Sequence, residues 1–114
     1  MNYVANTVDG FVSSATHPDA VGQTFNFGSG REISIGDLAA LIVRLAGSAS
    51  EIAPVEAERL RPAGSEVERL LASYEKAQSK LGWTPKVSME QGLTRTIEWF
   101  AANAAAYRTG EYTV

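Results

Sequence analysis

Arg59 and Arg61 stand two residues apart on a stretch that also holds Pro62 and Gly64, and Glu66 follows. A guanidinium is planar and donates two hydrogen bonds side by side, which suits the neighbouring oxygens of a diphosphate. A carboxylate a few residues further on suits ribose hydroxyls, since it accepts where they donate. On spacing alone, solvated loop charges with one ion pair are the simpler reading. Glu56, Glu58, Glu66 and Glu68 cluster nearby, but their spacing specifies neither a metal site nor a glycosidase pair.

Other chemistry is harder to build from these residues. Binding a dinucleotide needs a glycine-rich turn ahead of a helix, so that backbone N–H groups meet the pyrophosphate. Gly28-Ser29-Gly30 is the nearest approach, with Ile33 where a third glycine would stand, and it reads as a strand-ending turn. A Tyr-x-x-x-Lys pair would bring an ammonium near a phenol across one helical turn. Tyr3, Tyr74 and Tyr107 are instead followed four residues later by Thr7, Gln78 and Glu111. His17, the one histidine, precedes Pro18 at a helix end and reads as a surface residue near the helix dipole. With no cysteine there is neither a thiolate nor a disulfide framework. No catalytic, cofactor-binding or metal-ligating set emerges.

The elements that must position these residues alternate between helix and short strand. Tyr3-Val4 reads as a strand end, after which Asn6 caps a helix with Val8, Phe11, Val12 and Ala15 on one apolar face. Gln23–Phe27 reads as a strand with Phe25 and Phe27 on the same side. Ser34 and Asp37 cap the next helix, whose expected buried stripe is Ile35, Leu38, Ala39, Ile42, Leu45 and Ala46, with Gly47 as its stop. Glu51–Val55 and Glu66–Ala72 read as further short strands. Ser73 then caps a helix that ends at Gly82-Trp83. Ser88 with Gln91 forms a capping box for a last helix carrying Met89, Leu93, Ile97 and Phe100. The expected fold class is therefore α/β, a small mixed domain of three to four helices with short strands, too few strands for a free-standing doubly wound sheet. The domain covers residues 1–106, and 107–114 read as a frayed tail.

Composition narrows the function. The 114 residues are enough for one small domain, with 45% hydrophobic and 20% charged residues as in ordinary globular proteins. A formal net charge of −3 disfavours sequence-independent nucleic-acid binding, which needs surplus cations against phosphates. No apolar run is long enough to span a membrane and no signal pattern opens the chain, so the cytoplasm is the expected location.

An ordered set of motifs adds to this reading. Tyr3-Val4-Ala5-Asn6 resembles the "Y-V-x-D" helix start of extended short-chain dehydrogenase/reductases that act on nucleotide sugars. Phe25-Asn26-Phe27-Gly28-Ser29-Gly30 is similar to their "Y-N-[IL]-G-[SG]-G" strand end, and Arg61-Pro62 through Glu66 to their "R-P-G-D" loop. Ser73 to Trp83 resembles "D-x-S-K-A-x-x-x-L-G-W". Pro85, Gly92-Leu93 and Ile97-Glu98-Trp99-Phe100 follow the closing "P-x-[VT]-x-[LF]-E-E-G-L-x-x-T-I-x-W-[FY]". Within that family the chain is similar to UDP-N-acetylglucosamine 4,6-dehydratases and 4-epimerases. Departures are Asn6 and Ser73, each standing for an Asp, and an Arg61-to-Glu66 interval two residues longer than the motif's.

The resemblance implies the substrate-binding, carboxyl-terminal domain of an NAD-dependent epimerase/dehydratase, a fragment lacking the Rossmann sheet that would hold NAD. It implies Arg61 on the diphosphate, Glu66 on the ribose or uracil side, Asn26 near the nucleotide pocket and Tyr3 beside the cleft. The expected function is UDP-sugar binding, weak when the chain stands alone, without catalysis and with no cofactor in this chain. The alternative is an independent module that forms a homodimer through an exposed apolar face.

Overall fold

A computed structural model describes residues 1–53 and 70–106. Its elements are four α-helices, α1 (Val4–Thr16), α2 (Ile35–Leu45), α3 (Glu75–Leu81) and α4 (Met89–Ala102), with short 3-10 turns at Pro18–Ala20 and Ala104–Ala106. Among the described residues no strand forms, and this corrects the expected α/β class. Residues 23–27 carry the strand-like alternation, yet no backbone–backbone hydrogen bond joins Thr24, Phe25 or Asn26 to another described residue. A strand exists only as one side of a hydrogen-bonded ladder, so alternation without a partner leaves an extended segment and nothing more. Residues 51–53 and 70–72 likewise form no strand, and the remainder of those two expected strands lies outside the described residues.

Local capping chemistry sets the helix ends. The Ser34 hydroxyl accepts the Asp37 N–H, and in α4 the Ser88 and Gln91 side chains reciprocally satisfy each other's backbone N–H groups. Gly82, with φ at 65°, ends α3 in the left-handed conformation that glycine adopts without a Cβ penalty. Ser73 helps from one residue further out than expected. Tyr74 is the N-cap of α3, and the Ser73 hydroxyl accepts the Glu75 N–H.

Packing rests on few residues. Helix α2, with Leu38 and Leu41 buried, lies against α4, while α1 and α3 both pack on the Pro18–Ala20 turn through buried Ala20 and Ala77. Trp83 is only 3% exposed and meets Phe27 edge to face at 4.9 Å and Tyr74 at 6.0 Å. Such aromatic pairs contribute beyond the area they bury. Among the described residues the buried Trp83 indole N–H finds no partner, which costs stability. Of the stripe expected to be buried on α2, Ile35 is instead 81% exposed and Ile42 also faces out, while Leu41 takes a place inside.

Helix α1 departs furthest from the simple amphipathic picture. Val4, Val8, Phe11 and Val12 are each more than half exposed, and its buried residues are Asn6 and Gly10. A Cβ at Gly10 would lie 2.6 Å from the Phe27 ring, so the missing side chain lets the helix and residues 25–28 approach. Asn6 does not cap α1. Tyr3 is the N-cap, without a side-chain capping bond, and the Asn6 amide is engaged elsewhere. Its Oδ1 accepts the N–H groups of Lys86 and Val87, both at 3.0 Å, and its Nδ2 donates to the Val87 carbonyl and to Asn2 Oδ1. All four hydrogen-bonding positions of the amide are filled. Asn6→Ala strands buried backbone donors and an acceptor, so urea unfolding should show a loss of about 3 kcal/mol. Asn6→Asp, which keeps the acceptor and loses the donors, should fall between the two. A loss under about 1 kcal/mol for the alanine variant would contradict this account.

Candidate functional site

Three segments meet around Tyr3. Residues 1–3 lead into α1, residues 28–31 form a turn, and residues 87–96 run from the connection after α3 into α4. The Asn6 amide holds the first to the third. The Asn2 Nδ2 group donates to the Phe27 carbonyl at 3.0 Å, which holds the first to the second. Arg31 closes the triangle with a 2.6 Å ion pair to Glu90 in the first turn of α4. The Glu90 carboxyl is held below its ordinary range, chiefly by its own backbone N–H and then by the Arg31 guanidinium. A lowered value means that the link is fully present above the normal carboxylate pKa and is lost as pH falls through the lowered one.

Between these segments lies a largely apolar cavity of about 220 Å³, lined by Asn2, Tyr3, Ser29, Val87, Met89, Gly92, Leu93 and Thr96 together with Met1. Pockets for whole drug-sized ligands run to roughly 300–1,000 Å³, so this one accommodates a single ring. Tyr3 can sit against α4 because position 92 has no side chain. A Cβ there would come within 2.9 Å of the tyrosine ring. From the next turn the Arg95 guanidinium reaches to 5.8 Å from the centre of the same ring. A second, more polar hollow lies between the Gly30 turn and the start of α3, with Ser29, Ala72 and Tyr74 in its wall.

The residues singled out from sequence fare differently. Tyr3 is half-buried and lines the first cavity. Asn26 is exposed and lines neither hollow. Arg61 and Glu66 lie outside the described residues. Sequence reasoning missed Asn2, Arg95 and Thr96, and it weighed Gly92 only as part of a closing motif. The proximity of Gly92, Arg95 and Thr96 to Tyr3 is a product of packing and leaves no local pattern. Among the described residues no group of three His, Cys, Asp or Glu side chains is arranged to hold a metal ion, and no helix is long and apolar enough to cross a membrane.

Two outcomes test this geometry. Gly92→Ala gains about 1 kcal/mol of helix propensity but crowds the Tyr3 ring, and overpacking costs about 1–3 kcal/mol. Urea unfolding should therefore show net destabilisation, and a stabilised variant would mean that the ring does not rest on α4. Glu90→Gln should flatten the acid side of the stability-versus-pH curve. An unchanged profile below pH 5 would remove the Arg31–Glu90 link from the account.

The comparisons with known proteins agree with the ordered motifs. Residues 2–96 match the family model described as GDP-mannose 4,6 dehydratase. A UDP-glucose 4-epimerase from Mycolicibacterium smegmatis is 35% identical over 98 residues, 86% of this chain and 29% of that relative. The Bordetella bronchiseptica enzyme WbmF, solved in complex with NAD+ and UDP, aligns with a TM-score of 0.71 and 35% identity over 90% of this chain and 29% of its own. The epimerase Mth375 of Methanothermobacter thermautotrophicus aligns with a TM-score of 0.81 and 30% identity over 92% of this chain and 30% of its own. The chain thus spans less than a third of the length of each. With a family model matched over most of its residues and folds this similar, the chain belongs to the NAD-dependent nucleotide-sugar epimerases and dehydratases.

Proposed function

We propose that this chain forms one wall of a nucleotide-sugar site, for a sugar carried on uridine diphosphate, and that it binds substrate without performing chemistry on its own. The observation that carries this reading is the ring-sized cavity beside Tyr3, in a chain similar to an enzyme solved with UDP. A wall that grips remote parts of the substrate aids catalysis by orienting the reacting centre, which in this family is the sugar carbon that NAD oxidises transiently. Arg61, in the segment that resembles "R-P-G-D", supplies a guanidinium for the diphosphate, with Glu66 toward the ribose.

NAD binds outside this chain in this reading. The Gly28–Gly30 turn does precede α2, but the Ser34 hydroxyl occupies a donor of the first turn of that helix and donates to the Asp37 carboxylate at 2.7 Å. A carboxylate at a helix start repels the pyrophosphate that a dinucleotide would bring. The start of α2 therefore does not fit the cofactor.

A second reading, a self-associating module, is favoured by the outward apolar face of α1, since exposed patches of this kind mark interaction surfaces. Calorimetric titration of UDP into the 114-residue chain, with its mass followed by light scattering, separates the two. Substrate-wall function predicts saturable UDP binding, weakened at least about ten-fold in Arg61→Ala as expected for a charge-assisted contact. It also predicts no NADH absorbance when NAD+ and a UDP-sugar are supplied. A stable dimer that binds no UDP would overturn it in favour of the module.

A further inference from the structure

We propose that Arg95 is the anion-contacting residue at the rim of the Tyr3 cavity, taking a phosphate of a nucleoside diphosphate whose ring portion enters the cavity. This deepens the reading of that cavity as a nucleotide-sugar site and rests on it. The placement follows from the helix. Arg95 and Thr96 stand three and four residues after Gly92, so one stretch of α4 presents the glycine under Tyr3, a threonine in the cavity wall and the guanidinium over the ring. A tyrosine ring attracts the cation and helps to hold it in place, while the N–H edge of the guanidinium stays available for an oxyanion.

Charge points the same way. No charged side chain lines the cavity. Of the cationic side chains on the segments around it, Arg31 is spent on Glu90 and Lys86 on Asp9, at 2.6 and 2.8 Å. Arg95 forms no ion pair with any described residue. An anionic group carried by a ligand with its ring in the cavity therefore meets close by a guanidinium that no described carboxylate holds. The side chains that line the cavity itself are all neutral.

The test compares UDP with uridine, which lacks the phosphates, on the wild-type chain and on Arg95→Gln and Arg95→Lys. Affinities come from calorimetry and folding from circular dichroism. Arg95→Gln should weaken UDP about ten-fold and leave uridine unchanged, with Arg95→Lys between wild type and glutamine. A merely structural role in propping Tyr3 would weaken both ligands together, and that result overturns the proposal. UDP bound equally by wild type and Arg95→Gln overturns it too, while leaving the nucleotide-sugar reading intact. Wild-type chain that binds neither ligand removes both.

Discussion

The amide of Asn6 meets four partners at once, and three of them belong to Lys86 and Val87 at the far end of the chain. A buried amide with every lone pair and hydrogen engaged is strongly directional, because rotating it or moving either segment breaks several bonds together. The start of α1 is thereby fixed relative to the start of α4, and Tyr3, three residues before Asn6, is delivered onto Gly92. The cavity exists because of that placement. The motif position usually filled by Asp carries Asn here, and the exchange suits the neighbours. An acceptor is kept for two backbone N–H groups, and donors are gained for a carbonyl and for Asn2.

Around this polar clasp the apolar core is thin. Ala20, Leu38, Leu41, Ala77 and Trp83 are its buried members, while Val4, Val8, Phe11 and Val12 on α1 and Ile35 on α2 face outward. Aromatic packing makes up part of the difference, with Trp83 between Phe27 and Tyr74 and with Lys76 over Phe25 at 5.2 Å. The closest packing of α1 runs through an asparagine and a glycine, with its valines and phenylalanine outside.

The site divides labour between rigidity and charge. Asn2, Asn6 and the Arg31–Glu90 pair spend their hydrogen bonds on holding three segments together, and the cavity they enclose is left apolar. In the proposed function, shape selects the ring of a ligand there, and electrostatic selection falls to groups at the rim. Lys86 is neutralised by Asp9 and Arg31 by Glu90, so the tethering charges contribute little field of their own.

Much of the helical framework was legible in the chain itself, because caps act over two to four residues. Ser34 with Asp37, Ser88 with Gln91 and Gly82 after Leu81 each place a donor, an acceptor or a permissive backbone within a single turn, and the helices end where those residues stand. Family membership was legible for a related reason, since motif order survives along a linear sequence. Tertiary structure alone decided the rest. Whether residues 23–27 become a strand depends on a partner backbone, and alternation carries no information about whether one is present. The inward face of α1 was set by where Lys86, Val87 and Phe27 lie, and no periodicity within the helix records positions 17 to 81 residues away. Tyr3 found Gly92 and Arg95 by the same long-range packing, which makes the site a property of the folded chain.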